Sequence, residues 1–473
     1  MISFLIALLA LVVGYAIYGK VVDTFFAPTD KQTPAVVHND GVDYIPLPTW
    51  KVFMIQLLNI AGLGPIFGAL GGALWGPSVY IWIVGGTIFA GGVHDYLSGM
   101  ISLREDGKSI SEVVGNYMGS TMLTIMRVFS VVLLVLVGTV FMTGPAMLLA
   151  KLTGMVVTTW LIIVLLYYFT ATILPIDTII ARIYPLFGIC LIVMAVGIMF
   201  GMLTGVGGHV MPDMTLENLY PGENQLPIWP LMFITVACGA ISGFHATQSP
   251  IMARCLKSER LGRPVFYGAM VAEGAIALIW AAAGMTFYDG TAGLAAAMKA
   301  GGPGGAVHEI CVGFLGGGLG MVLAMLGVVA CPLTSGDTAF RSARLTLADW
   351  FNISQVNWKK RLMIAVPLLA IGGTLSQIDF NIIWRYFSWT NQTLAMIVLW
   401  TGAVYLYRNK PDSKAYMVPM IPATFMSVVT FTYILQAKEG LQLSPDVTYP
   451  AGFVFAAFCL ALYLKSTVLK KNK

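Results

Sequence analysis

The sequence predicts an all-α polytopic membrane protein of about 13 transmembrane helices, most of them arranged as two inverted five-helix halves. Three observations carry this. Of the 473 residues 58% are hydrophobic and only 10% charged, with a mean hydropathy of +0.81. Apolar runs long enough to cross a bilayer follow one another along the whole chain. Two of these runs are interrupted by glycine and proline at corresponding places in the two halves.

A soluble domain averages about 25% charged residues, so a chain this poor in charge must present much of its surface to lipid. Length alone would allow about three soluble domains, but the even spacing of apolar runs argues for one integral unit over 1–473. The net charge of +5 is gathered in short loops, which indicates membrane orientation and no nucleic-acid partner. Cys190, Cys238, Cys255, Cys311, Cys331 and Cys459 are scattered without paired spacing and read as packed thiols. The run Ile2 to Tyr18 lacks a basic leader and a small-residue cleavage site, so it is read as a helix and not as a signal peptide.

A helix needs about 20 mostly apolar residues to cross the hydrocarbon core. Candidate spans are 2–19, 51–72, 77–103, 122–150, 155–174, 183–204, 228–250, 264–288, 311–340, 361–378, 383–407, 416–436 and 449–468. The first is an additional N-terminal helix. Residues 51–204 form a first repeat, 228–407 a second, and 416–468 two further helices. No alternating ten-residue segments suggest strands, and helices satisfy their own backbone in lipid. Loops 251–263, 341–361 and 408–414 and the C-terminal tail (Lys465, Lys470, Lys471, Lys473) hold most of the loop Lys and Arg. Loop 205–227 holds Asp213, Glu217 and Glu223 but neither Lys nor Arg. The positive-inside rule then places the N-terminus outside and the C-terminus in the cytoplasm.

Segment 51–72 contains Asn59-Ile-Ala-Gly-Leu-Gly-Pro65, and segment 228–250 contains Cys238-Gly-Ala-Ile-Ser-Gly-Phe-His-Ala-Thr-Gln-Ser-Pro250. Glycine lowers helix propensity and proline removes a backbone donor, so both helices should break there. Each is the first helix of its five, and the two halves enter the membrane from opposite sides. Interrupted helices so placed point to a transporter's solute site, where exposed N–H groups favour anions and exposed carbonyls favour cations. Close helix packing is the competing explanation for the glycines. On the functional reading Gly62, Gly64, Gly239, Ser242, His245 and Gln248 contact solute, with Thr247 as a weaker candidate.

The stretches Gly64-Pro-Ile-Phe-Gly-Ala-Leu-Gly-Gly-Ala-Leu-Trp-Gly-Pro77, Phe89-Ala-Gly-Gly-Val-His-Asp-Tyr-Leu-Ser-Gly-Met100, Cys238 to Pro250 and Pro332-Leu-Thr-Ser-Gly-Asp-Thr-Ala339 occur in that order. Together they resemble the carbon starvation protein A (CstA) family over most of the chain. The chain is shorter than the long enterobacterial-type members. The resemblance implies a bacterial inner-membrane carrier with a leucine-transporter-like five-plus-five fold. It also implies uptake of peptides or of a pyruvate-like carboxylate, the latter with protons.

Ionisable residues within spans are costly and stand as functional candidates. His94 and Asp95 adjoin in the third span; their side chains leave the helix about 100° apart, which argues against one shared clamp. Each relays a proton or fastens the helix to a neighbour. His245 sits in the second break, where an ordinary imidazole titrates in the range useful for proton coupling. Glu273 has no basic neighbour on its own helix and needs a proton or a partner from another. Asp337 either titrates or pairs with Arg341, four residues on. The resemblance to leucine-transporter-like folds implies that Thr334 and Ser335 help hold a sodium ion with carbonyls of the first break, and hard oxygen ligands suit such a cation. Arg385 gates an anion near the outer mouth or lies at the interface among aromatic residues.

No Walker A motif is present, so transport would draw on an ion gradient. Neither H-E-x-x-H nor G-x-S-x-G occurs, which argues against a membrane-embedded enzyme, and the dispersed histidines argue against a haem carrier. A channel is the remaining alternative. No resident cofactor is expected, sodium being a candidate coupling ion. The expected partners are the small solute and the bilayer; nothing in the sequence indicates an oligomeric state.

Overall fold

The computed structural model describes residues 1–40, 44–173, 180–223, 225–355 and 357–467. Part of the predicted span 155–174 and the tail lysines 470, 471 and 473 lie outside the described residues. Among those described the regular structure is helical throughout. The longer helices are α1 (Ile2–Phe26), α2 (Thr49–Ile60), α3 (Gly64–Trp75), α4 (79–104), α5 (Ile110–Met118), α6 (Ser120–Thr153), α7 (Val157–Ile173) and α8 (Ile180–Leu203). They continue as α9 (Leu231–Thr235), α10 (Gly243–Ala253), α11 (Glu259–Phe287), α12 (Thr291–Leu315), α13 (317–350), α14 (Trp358–Leu375), α15 (Phe380–Asn409), α16 (Met417–Gln436) and α17 (Pro445–Ser466). Seven helices among the described residues are long and apolar enough to cross a membrane, eight when the bent pair α2–α3 counts as one.

Both predicted interruptions are present. Helices α2 and α3 meet at a bend of 56° across residues 61–63. In the second, α9 stops at Thr235 and α10 starts at Gly243. That break ends earlier than the sequence suggested: Pro250 lies inside α10, so the glycines and not the proline interrupt the helix. The two breaks abut. A Cβ on Gly64 would collide with Cys238, so only glycine lets the first break approach the second this closely. A Cβ on Gly91 of α4 would likewise strike the Ala240 carbonyl.

One predicted span is displaced. Residues 311–340 do not form one helix, because Gly316 adopts φ 81° and ends α12, after which α13 begins afresh. The helical Thr291–Leu315 segment was missed. Its glycines and the kink at Gly302 (φ 65°) dilute the apolar signal.

Packing separates inner from outer helices. The most apolar stretch of α1 is only 22% buried, as is that of α17, whereas the corresponding figures are 67% for α6 and 78% for α11. The breaks therefore sit within a shell of α4, α6, α11, α13 and α15; α1 lies against its outside, and α17 packs on α16. Bidentate contacts from Arg104 at the end of α4 to Glu259 at the start of α11 (3.1 and 2.9 Å) tie one end of the bundle together. Arg104 also donates to the Ala27 carbonyl and lies over the Phe26 ring, which fixes the end of α1.

Candidate functional site

Three helices bring the charged centre together. The residues 87–91 of α4 form a π-turn. Such a turn re-aims the side chains that follow and leaves a carbonyl to bond elsewhere; here Ile88 accepts from the Tyr267 hydroxyl of α11 at 2.6 Å. Just beyond it stand His94 and Asp95. The second half-helix α10 packs on this face and supplies His245, and α11 supplies Glu273.

All four side chains are fully buried. His94 Nδ1 lies 2.7 Å from Asp95 Oδ1, and His245 Nδ1 lies 2.8 Å from Asp95 Oδ2. His245 Nε2 lies 3.3 Å from Glu273 Oε2. The result is a continuous file, His94–Asp95–His245–Glu273, across α4, α10 and α11. An acceptor-only carboxylate flanked by two ring nitrogens assigns an N–H to each of those nitrogens. His245 Nε2 and both Glu273 oxygens are buried and make no aligned hydrogen bond, although they approach to 3.3 Å. The expectation that His94 and Asp95 point too far apart to form one shared clamp is corrected here, because the two side chains meet. Their Cβ vectors diverge, but the imidazole is long enough to turn back onto the neighbouring carboxylate.

The backbone of the second break is held by residues the sequence reading did not single out. Asn391 of α15 accepts from Phe244 N–H (2.7 Å) and from the Ser242 hydroxyl (3.1 Å), and its amide reaches Cys238 Sγ (3.4 Å). Gln392 donates to the Phe233 carbonyl at the end of α9 (2.7 Å). Thr87 donates to the Gly239 carbonyl (3.1 Å). Two adjacent amides in an otherwise apolar span are the signal that would have found Asn391 and Gln392. Gln56 and Asn59 of α2 are buried with amide atoms unpaired, as is the Gln248 carbonyl oxygen of α10.

The remaining candidates fall elsewhere. Ser335 donates to the Leu58 carbonyl of α2 (3.1 Å) and so touches the first interrupted helix, whereas Thr334 donates to the Cys331 carbonyl of its own helix (2.7 Å). Asp337 lies 3.5 Å from Arg341 on its own helix. Arg385 is outside the file: it pairs with Glu439 at 3.0 Å and is partly exposed. Cys238, His245 and Glu273 offer donor atoms within 4.8 Å of one another, a set whose chemistry could suit a borderline divalent ion. Cys238 Sγ is already engaged by Ser242 and Asn391, however, and His245 Nδ1 by Asp95, which leaves Nε2 and a carboxylate.

The family described as Carbon starvation protein CstA matches residues 1–157, 144–291 and 286–433. The chain belongs to the CstA family. It is 41% identical to a Haemophilus influenzae membrane protein over 352 residues, covering 64% of this chain and 95% of that one. It is 26% identical to the Escherichia coli peptide transporter CstA, with 92% of this chain and 80% of the relative covered. The E. coli pyruvate/proton symporter BtsT is 27% identical, over 53% of this chain and 43% of BtsT. Among solved structures, the Eremococcus coleocola manganese transporter superposes with a TM-score of 0.54 at 12% identity, covering 90% of this chain and 97% of that one. MhsT in complex with L-phenylalanine gives 0.54 at 15%, covering 88% and 98%. At such identities the likeness concerns the fold alone. This CstA-family chain is a multi-pass membrane transporter and not an enzyme.

Proposed function

We propose that this CstA-family transporter is a proton-coupled importer of a small carboxylate, such as a pyruvate-like acid, or of short peptides. It would work in a bacterial inner membrane with its N-terminus outside. The observation that carries the reading is the buried file His94–Asp95–His245–Glu273, one member of which rides on the interrupted helix α10. A histidine held between two carboxylates of different helices exchanges protons only as those helices separate or close. Proton occupancy and the position of α10 are then coupled by differential affinity for two states. Peptide and pyruvate/proton transport are the activities named for the relatives.

On this reading thirteen spans form a five-plus-five inverted repeat with one N-terminal and two C-terminal additions. Solute sits between the breaks, near Gly62, Gly64, Gly239, Ser242 and Gln248. The buried amides of Gln56 and Asn59 supply further polar contacts. Without a shared proton the pair holds a bare buried carboxylate; a proton entering the pair neutralises that charge, which otherwise opposes movement. Sodium is the second reading, favoured by the Ser335 hydroxyl on the Leu58 carbonyl of the first break.

Uptake of labelled pyruvate and of a dipeptide into proteoliposomes, under proton and sodium gradients imposed separately, tests the proposal. Accumulation of either solute driven by the proton gradient is expected. Accumulation of neither, or flux that never saturates, would overturn it.

A further inference from the structure

A second polar region lies away from the histidine file. A cavity of about 600 Å³ opens at the end of the bundle that carries the basic loops, between the start of α5, the end of α10 and the second half of α13. Arg254, Arg341, Arg344 and Arg361 line it, against one carboxylate, Asp349. Thr247 of α10, two residues beyond His245, also lines it.

The four cations are not equivalent. Arg254 donates to the Gly107 carbonyl, and Arg361 to the Gln355 carbonyl. Arg341 donates to the Ala171 carbonyl and faces Asp337 at 3.5 Å, which leaves its Nε unpaired. Arg344 is 95% buried, and its Nε and Nη1 have no hydrogen-bond partner. Among the described residues it forms no ion pair. A buried guanidinium without a partner costs several kcal/mol, so a fold that keeps one has a use for it. A planar fork with idle N–H groups is the geometry that binds a carboxylate or phosphate in bidentate fashion. The volume is that of a small-molecule pocket and exceeds what one water-filled gap requires.

We propose that this cavity is an anion site in which Arg344, backed by Arg341, holds the carboxylate or phosphate of a small solute on the side of the basic loops. The anion comes either from the transported solute on its way out past Thr247 or from the cytosolic pool. In the first case the site deepens the transport reading above; in the second it stands without it.

The test uses the full-length protein purified in detergent. Thermal stabilisation is titrated with pyruvate and, separately, with inorganic phosphate, against choline chloride at equal ionic strength. Saturable stabilisation by at least one of the two is expected. Arg344→Gln should weaken it tenfold or more, and Arg344→Lys should retain an intermediate affinity. Preference for pyruvate assigns the site to the exit path, and preference for phosphate to a cytosolic ligand. Thr393→Ala, whose hydroxyl bonds only to the Trp389 carbonyl of its own helix, should bind as the parent does. Because Arg344→Gln removes an unpaired buried charge, it should melt no lower than the parent without anion. No saturable effect beyond the chloride control overturns the proposal. So does parental affinity in Arg344→Gln, or a steep fall in that variant's anion-free melting temperature, which would make Arg344 a structural residue.

Discussion

Removing the Asn391 side chain should loosen the second break without touching the histidine file. In Asn391→Ala the Phe244 N–H loses its acceptor at 2.7 Å, and the Ser242 hydroxyl loses its contact at 3.1 Å and keeps only the weaker one with Cys238 Sγ; both groups are buried. Each stranded buried group costs about 1–3 kcal/mol, so about 2–4 kcal/mol for the two together allows for partial entry of water. At about 2 °C per kcal/mol for a large domain, the apparent melting temperature should fall by about 4–8 °C. The assay is thermal unfolding of the purified protein in detergent, with Thr393→Ala as the control. Thr393 lies on the same helix but bonds only to the Trp389 carbonyl one turn back. Solute uptake should show a raised KM, because α10 would be held less firmly at its start. Melting and KM in Asn391→Ala equal to those of Thr393→Ala would refute the assignment of Asn391 as the residue that closes this break.

Gly64→Ala should cost about 1–3 kcal/mol by overpacking, since the new methyl meets Cys238, and it should depress uptake far more than Gly85→Ala, which has open space; equal uptake would contradict the close approach. Arg104→Gln leaves the buried Glu259 carboxylate without its cation and should cost about 2–4 kcal/mol after discounting for the partial exposure of Arg104, read as faster proteolysis at the end of α1. Ser335→Ala should weaken any sodium dependence of uptake several-fold if sodium binds at Leu58; an unchanged sodium affinity would discard that reading.

The interrupted helices were legible because glycine and proline act locally, through backbone freedom and a missing donor, and both effects are written in the residues themselves. The membrane class was legible for a similar reason, charge being scarce along the whole chain. Glu273 was recognisable as a carboxylate in need of a partner from another helix. That this partner is His245 depends on how α10 and α11 pack, which one sequence does not state. The contact of His94 with Asp95 was missed because helical angles describe Cβ directions and not the reach of an imidazole. Asn391 and Gln392 were overlooked because an amide in a span looks polar but unremarkable until the carbonyls and N–H groups of a broken helix are set before it. The α12 segment escaped because its glycines mask a helix that tertiary packing stabilises.

The central claim is that the proton shared between His245 and Glu273 couples the gradient to solute movement. Proton-driven uptake by Glu273→Gln in proteoliposomes, compared with solute exchange at equal pH on both sides, tests it most directly. Loss of pH-driven accumulation with exchange retained is the predicted result. Accumulation with the parental dependence on the proton gradient would contradict the account.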